Sequence, residues 1–275
     1  MRSLTSVEIL EKVSDSGVAK ANSSIWKLFL LAVLAGAFIA FGANGSMTVS
    51  FGLLSDPDPL TFGIGKLVSA AVFPVGLMMV VLCGAELFTG NTLMVTGLLD
   101  GKIKVSGMLK NWIIVYIGNF VGALLIAALI NYSGLLESGG GMLGAFVVKT
   151  AAAKTSLSFG RAFVLGMMCN WLVCLAVWMS TGATETIGKI FSILFCIGLF
   201  VLSGFEHSIA NMYFIPAGIM ASGNSAFVDL LGTDISGLTV SGFLTNNLLP
   251  VTLGNIVGGC GFVGVMYWVC HRKGK

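Results

Sequence analysis

The sequence predicts an all-α membrane protein of six transmembrane helices, arranged as an inverted 3+3 repeat with broken second and fifth helices. Three observations support this fold class. Of the 275 residues, 56% are apolar and 10% charged, and the mean hydropathy is +0.96, whereas a soluble domain carries about 25% charged residues. Six apolar stretches reach the roughly 20 residues that a spanning helix needs. Two polar motifs recur in the same order in both halves of the chain.

The six apolar stretches lie near residues 26–50, 66–99, 106–130, 158–180, 187–221 and 245–270. The second and fifth are longer than one helix needs, and each contains a polar interruption, GAELFTGN (84–91) or GFEHSIAN (204–211). We expect each of these two spans to consist of two helical pieces joined by a loop at membrane depth. Lipid satisfies no backbone polar group, so such a loop must be buried in protein or line a cavity.

Both interruptions read G-x-E-x-x-x-x-N, and GNFVG (118–122) in the third span matches GNIVG (254–258) in the sixth. Within one channel domain over 1–275, this symmetry defines a first repeat at 26–130 and a second at 158–270. Because each repeat has an odd number of spans, the two insert with opposite orientations. Transporters with such inverted repeats build their substrate site where the broken helices meet.

The basic residues predict that both termini lie on the cytoplasmic side of a cell membrane. With the N-terminus inside, only Lys66, Lys149, Lys154 and Arg161 fall outside. The inside residues are Arg2, Lys12, Lys20, Lys27, Lys102, Lys104, Lys110, Lys189, Arg272, Lys273 and Lys275. Residues 1–25 are predicted to form a cytoplasmic segment with an amphipathic helix over 4–20. Acidic residues that fit the outer side are Asp56, Asp58, Asp229 and Asp234.

The sequence argues against several classes of function. The basic residues are spread over several loops, which argues against nucleic-acid binding. The six cysteines lack paired metal-type spacing, so neither a metal site nor a cofactor is expected. An intramembrane metalloprotease needs a His-Glu-x-x-His motif, which is absent, and we expect no enzymatic activity. A neutral-solute pore of the aquaglyceroporin kind stays as an alternative, although Asn-Pro-Ala motifs are missing from both interruptions.

Three stretches resemble the signatures of the formate/nitrite transporter family: VLCGAELFTG (81–90), GMMCNWLVCLA (166–176) and SGFEHSIANMYFIP (203–216). The resemblance extends from about residue 5 to residue 270. It implies an aquaporin-like protomer, a homopentamer with one pore per protomer, and passage of small monovalent anions. Formate is the expected anion, and a nitrite or hydrosulfide channel of the same family is the alternative.

The resemblance also implies which residues face the pore. Leu87, Phe88 and Thr89 match the loop that breaks the second helix, and His207 matches the single pore histidine, with Glu206 and Asn211 beside it. The positions that match apolar constrictions are Phe73, Leu77, Val173 and Phe200. Polar positions of the family motifs match Asn170 and Asn255. Lys154 matches the lysine near the outer mouth of the pore, and the position of Lys149 leaves open which of these two lysines faces the pore.

Burial cost refines the expected roles. Ionisable groups at membrane depth usually mark a substrate path, so we expect His207 in the pore, with a histidine satisfied by a backbone carbonyl as the alternative. Thr89 is either a helix cap or a hydroxyl donor to the anion or to His207. An acid in an anion pore repels its substrate, so Glu206 and its repeat partner Glu86 are expected to turn away and accept hydrogen bonds from loop amides.

Two further roles concern positioning and steering. Asn119 and Asn255, the repeat pair, are expected to clamp the ends of the broken helices, and Asn255 also to reach the pore. Lys154 is expected to raise the local anion concentration. Desolvation favours the neutral form of a weak acid, so His207 can relay a proton to it. Whether the protein works as an anion channel or as a proton-coupled carrier stays open.

Overall fold

The computed structural model describes residues 3–55, 58–232 and 234–272. Four residues used for the orientation prediction, namely Arg2, Asp56, Lys273 and Lys275, lie outside these ranges. All regular secondary structure in the described ranges is helical. The helices are α1 (Ser6–Asn22), α2 (Ile25–Leu54), α3 (Pro59–Leu82), α4 (Phe88–Asn91), α5 (Val95–Leu99), α6 (Val105–Tyr132), α7 (Met142–Thr155), α8 (Phe159–Gly182), α9 (Thr186–Ser203), α10 (Ser208–Ala221), α11 (Ser225–Asp229) and α12 (Val240–His271).

Six helices in the described part of the chain, α2, α3, α6, α8, α9 and α12, are long and apolar enough to cross a membrane. This confirms the predicted number of spans. Short 3₁₀ turns lie at Thr92–Met94 and Leu135–Glu137. Within α12, the backbone is π-helical over Phe243–Leu248 and Val257–Val265.

The second and fifth spans are both broken, as predicted. In the second, α3 ends at Leu82 and α4 begins at Phe88; in the fifth, α9 ends at Ser203 and α10 begins at Ser208. Gly84 (φ 75°) and Gly204 (φ 74°) both adopt the left-handed backbone conformation. This conformation ends a helix with little strain only at glycine, so the glycine of each repeated motif terminates the first helical piece.

Close packing between spans relies on the glycines of the second repeated motif. A Cβ atom on Gly122 of α6 would collide with the Val33 carbonyl oxygen of α2. In the second repeat, a Cβ atom on Gly258 of α12 would likewise collide with the Met167 carbonyl oxygen of α8. These two helix pairs therefore meet backbone to backbone, the geometry that small-xxx-small motifs provide in membranes.

A helix that the sequence analysis does not predict, α7, precedes the second repeat as α1 precedes the first. At 14 residues it is too short to span a bilayer. Each of these two helices carries one lysine near its C-terminus that reaches a helix break, Lys20 on α1 and Lys154 on α7. Both lysines belong to the site described next.

Candidate pore between the two helix breaks

The two breaks meet through His207 and Thr89. His207 precedes α10 and caps it, because its Nδ1 accepts a hydrogen bond from the Ala210 backbone N–H at 3.1 Å. Its Nε2 lies 2.9 Å from Thr89 Oγ1, and both side chains are buried. Since Nδ1 accepts, the neutral ring carries its proton on Nε2 and donates it to Thr89. The ring is thus held by a backbone N–H and a hydroxyl rather than by a backbone carbonyl.

Glu206, which is only 5% exposed, is surrounded by donors. Lys154 Nζ lies 2.7 Å from Glu206 Oε1. Two amides donate to Oε2, Asn211 Nδ2 at 2.7 Å and Asn247 Nδ2 at 3.1 Å. The sequence predicts loop amides as the donors to Glu206. The structure differs, because the lysine of α7 and two asparagines reach the carboxylate and leave its charge compensated.

The first break repeats this arrangement. Lys20 Nζ lies 2.8 Å from both carboxylate oxygens of Glu86, and Asn91 Nδ2 donates to Glu86 Oε2 at 2.7 Å. Asn91 also donates to Asn111 Oδ1 at 2.9 Å, as Asn211 does to Asn247 Oδ1 at 2.7 Å. Side chains again replace the loop amides predicted for Glu86. Each repeat thus holds its glutamate with one lysine and a pair of asparagines.

One asparagine at each break forms hydrogen bonds with the backbone around it. Asn119 Oδ1 accepts from the Phe88 backbone N–H at 2.9 Å, and Asn255 Oδ1 accepts from the Ser208 N–H at the same distance. The Nδ2 of Asn119 donates to the Glu86 carbonyl, and that of Asn255 to the Glu206 carbonyl. Each asparagine therefore satisfies one backbone group within a break and one at the start of the following helix, which lipid would leave unpaired.

Asn170 connects the first break to α12. Its Nδ2 lies 2.7 Å from the Asn255 carbonyl and 3.2 Å from both the Thr89 carbonyl and Thr92 Oγ1. It holds the backbone of the residue that contacts His207. Thr92 and the network residues Lys20, Asn91, Asn111 and Asn247 are not among the site residues predicted from the sequence. Asn91 and Asn111 do carry a sequence signal, since they correspond in the repeat to Asn211 and Asn247.

Aromatic rings lie beside His207. The Phe73 and Phe200 rings meet edge to face with centroids 5.4 Å apart, and the Phe200 centroid lies 6.0 Å from that of His207. Phe214, which the sequence analysis does not single out, stacks on Phe73 at 6.4 Å. All of these rings border one cavity. Leu77, Val173 and Leu87 are buried in the surrounding core.

Phe88 occupies a different environment. Its ring packs edge to face against Tyr116 and Trp112 of α6, with centroids 4.9 and 5.9 Å apart. Together with these two residues it borders a separate apolar cavity between α6 and α12. The structure therefore does not bring the Phe88 ring together with Phe73, Phe200 and His207 on one cavity wall.

Two cavities approach the His207–Thr89 contact, and we call them outer and inner after the sidedness predicted from the loop charges. The outer one, about 450 Å³, is bordered by the end of α2, by α3 and α7, and by the second break including His207. Lys66, Lys149 and Lys154 all line it. The inner one, about 190 Å³, is bordered by α1, by the end of α8 and by Gly90 and Asn91, which directly follow Thr89. The contact thus lies between the outer and the inner cavity, which we call vestibules.

A buried carboxylate fixes α1 below the inner cavity. Asp100 Oδ2 accepts from Ser14 Oγ at 2.7 Å, and Oδ1 accepts from Trp268 Nε1 at 2.7 Å. Burial raises the pKa of the Asp100 carboxyl, whereas the hydrogen bonds from Ser14 and Trp268 lower it. The positive charges of Arg272 and Lys102 lower it further, so the pKa of this carboxyl lies below its usual value. This cluster joins α1 to the end of α12.

No group of three or more His, Cys, Asp or Glu side chains suited to a metal ion occurs in the described ranges. What the arrangement offers is two cavities lined by lysines, on either side of buried hydrogen-bonding side chains. Such an arrangement suits a small anion rather than a bond-breaking reaction.

Known proteins with similar sequences include transporters and channels for small anions. The sequence profile described as formate/nitrite transporter matches residues 7–269. The chain is 42% identical over 264 residues to the formate channel FocA of Escherichia coli K12, covering 94% of this chain and 91% of that protein. It is also 42% identical over 268 residues to a probable formate transporter of Methanothermobacter thermautotrophicus, covering 92% of each.

Two solved structures share the fold. A pentameric formate channel with formate bound gives a TM-score of 0.79 at 37% identity and covers 90% of this chain and 98% of that chain. An FNT family ion channel gives a TM-score of 0.80 at 30% identity and covers 96% and 98%, respectively. These likenesses extend over nearly the whole chain.

Proposed function

Because the chain belongs to the formate/nitrite transporter family, we propose that it passes formate across a cell membrane through one pore in each protomer of a homopentamer. Of two relatives that cover nearly the whole chain, one is described as a formate channel and the other as a probable formate transporter, and the similar solved structure is a pentamer with formate bound. The charge bias of the loops supports cytoplasmic termini. Nitrite and hydrosulfide, also small monovalent anions of weak acids, are further substrates to compare.

The observation that carries this proposal is the hydrogen bond between Thr89 and His207, which lies between the two vestibules. In the neutral state His207 donates from Nε2 to Thr89 Oγ1, which leaves the Thr89 hydroxyl hydrogen free to donate to an anion. Each desolvated anion oxygen needs such a donor, since an unpaired charge in an apolar slit is costly. The positive end of the α10 dipole lies at the same break.

Proton coupling would need a second proton on His207. That proton has to bind Nδ1, which already accepts the Ala210 N–H. Protonation therefore breaks the cap of α10, and the neutral ring is favoured while the pore is empty. An anion beside the ring favours the charged form by attraction. In this mechanism the neutral state hydrogen-bonds the anion, and protonation accompanies its passage only when the anion offsets the loss of the cap.

Proteoliposome flux tests the proposal. Purified protein is reconstituted, and the uptake of formate, nitrite and hydrosulfide is measured side by side at equal concentration gradients, with protein-free liposomes as the control. We expect formate uptake well above the control. Formate uptake equal to that of empty liposomes, with nitrite or hydrosulfide clearly transported, would reject formate as the substrate. Light scattering coupled to size-exclusion chromatography tests the pentamer, which a smaller oligomer in mild detergent would contradict.

A further inference from the structure

Three lysines line the outer cavity, and they differ in their pairing. Lys154 is bound to Glu206 at 2.7 Å. Lys66 and Lys149 pair with no carboxylate in the part of the chain that the structure describes. Because the charges of Lys154 and Glu206 largely cancel, the positive field of this vestibule comes from Lys66 and Lys149. Of these two, Lys149 is exposed and Lys66 is half-buried.

Lys66 lies next to the second break. Its Nζ is 3.6 Å from the position that a Cβ atom on Gly204 would occupy, three residues before His207. The ammonium group also lies over the Phe62 ring, 5.8 Å from its centroid. Lys66 is therefore an unpaired positive charge on the wall of the outer cavity, next to the second break.

The residues that follow Lys66 continue the same wall towards the constriction. Lys66, Ser69 and Phe73 are spaced i, i+3 and i+7 on α3, and so share one face of that helix. All three border the outer cavity. Phe73 is the ring that meets Phe200 edge to face. The face therefore presents a cation, a hydroxyl and an aromatic ring in order from the outer end of α3 inwards.

Ser69 differs from the other serines of this cavity. Ser46 and Ser50 donate to backbone carbonyls of their own helix. Ser69 Oγ makes no hydrogen bond to any described residue and is half-buried on the cavity wall. A hydroxyl one helical turn from an unpaired ammonium can bind the same small anion, since both groups are donors.

We propose that Lys66 and Ser69 form an anion-binding subsite at the outer end of the constriction, which takes a small monocarboxylate before it reaches Phe73 and Phe200. Lys66 supplies the charge and Ser69 the second hydrogen bond, while exposed Lys149 at the rim only increases the local anion concentration. The subsite rests on the proposed function, because the anion it binds is the one that the pore is proposed to pass. It assigns to Lys154 the task of compensating Glu206.

Concentration-dependent flux tests this subsite. Initial rates of formate uptake into proteoliposomes are measured for the native protein, Lys66→Gln, Lys66→Arg and Ser69→Ala, with Lys149→Gln as a rim control. For Lys66→Gln we expect the half-saturating formate concentration to rise about tenfold, at the lower end of what electrostatic focusing provides, with maximal flux changed less. Lys66→Arg keeps the charge and should stay near the native value. Ser69→Ala should shift it in the same direction but less, and Lys149→Gln least.

Restoring the charge chemically separates binding from a structural role. In Lys66→Cys, treatment with aminoethyl methanethiosulfonate returns a positive charge, and sulfonatoethyl methanethiosulfonate introduces a negative one. Flux at low formate concentration should recover with the first reagent and fall further with the second. The native protein treated in parallel controls for its own exposed thiols, Cys83 and Cys270.

The outcomes are separable from those of the proposed function. If the native protein transports no formate, the proposed function fails irrespective of Lys66. If the native protein transports formate and Lys66→Gln has the native half-saturating concentration, the subsite is rejected. The subsite is equally rejected if both thiol reagents change the flux of Lys66→Cys in the same direction and to the same extent.

Discussion

Thr89 Oγ1 and His207 Nε2 lie 2.9 Å apart, although 118 residues separate them in the chain. Each residue occupies a position whose repeat counterpart is apolar: His207 corresponds to Leu87, and Thr89 to Ile209. The framework around them is symmetric, since the same lysine, glutamate and asparagine types hold both breaks. The two repeats therefore differ at Thr89 and His207, the polar side chains that meet between the breaks.

Removing the Thr89 hydroxyl should lower formate flux. Thr89→Val leaves the His207 Nε2 proton unpaired and deletes the donor to the anion, and a hydrogen bond to a charged group is worth about 1.5–3 kcal/mol. We expect flux to fall about tenfold or more. Thr89→Ser, which keeps the hydroxyl, is the matched control and should retain most of the flux. Equal losses in both variants, measured in proteoliposomes, would contradict a role for the hydroxyl.

His207→Asn should flatten the pH dependence of formate flux. Asparagine keeps a polar side chain but cannot take up a proton, whereas the His207 ring can do so when an anion beside it favours the charged form. The variant should fold, lose proton-coupled uphill movement and retain passive anion leakage. The measurement is formate flux against pH, with internal pH followed by a dye. A variant with the native pH profile and undiminished proton coupling would reduce His207 to a hydrogen-bonding post.

The Lys154–Glu206 pair should behave as a buried ion pair in a double-mutant cycle. Lys154→Met leaves a buried carboxylate without its cation and should destabilise the protein by about 3–5 kcal/mol. Adding Glu206→Gln removes the uncompensated charge and should recover part of that loss. Thermal unfolding in detergent measures the cycle, with Lys20→Met and Glu86→Gln as the matched pair in the other repeat. Strictly additive effects at either pair would be inconsistent with the compensation described here.

The breaks and their glycines could be predicted from the sequence, because an ionisable residue inside an apolar stretch is visible without a structure. The lysines that pair with the two glutamates could not be predicted. Lys20 is 66 residues from Glu86, and Lys154 is 52 residues from Glu206, and both lysines lie on helices outside the spans. Sequence spacing gives no measure of such a distance.

Other features could not be predicted either, because they depend on how the helices pack. Helix α7 is shorter than a span, so its hydropathy gives no transmembrane signal. The Phe88 ring packs on Tyr116 and Trp112 because of how α6 meets the first break. A resemblance in sequence carries the residue type to a position but not the direction of its side chain. Whether a vestibule lysine is paired with a carboxylate depends on side-chain direction in the same way.

Close packing in the second repeat predicts a sharp contrast between two glycines of α12. A Cβ atom on Gly258 would collide with the Met167 carbonyl oxygen, whereas one on Gly261 would meet open space. Gly258→Ala should therefore push α12 away from α8 and destabilise the protein by about 1–3 kcal/mol. Gly261→Ala is the matched control and should be neutral or slightly stabilising. Similar unfolding temperatures for the two variants would contradict the backbone-to-backbone contact.

The last prediction concerns pH and the attachment of α1. The pKa of the Asp100 carboxyl is lowered in the folded protein, so its ionised form stabilises the fold above the pKa of an unfolded aspartate, about 4. This stabilisation is lost as the pH falls through the lower, folded value. Acidification from neutral pH to below about 4 should therefore weaken the contacts of Asp100 with Ser14 and Trp268.

Trp268 reports on this contact, because its Nε1 donates to Asp100. In the native protein the unfolding temperature should drop on acidification, together with a change in tryptophan emission. Asp100→Asn should start lower at neutral pH, because the charge that pairs with Arg272 is gone, and should lose less on acidification. A matched substitution at the exposed acid Asp229, Asp229→Asn, controls for general effects of acid. A variant at position 100 that loses as much stability as the native protein over the same pH range would show that another carboxyl governs the acid sensitivity of this end of the protein.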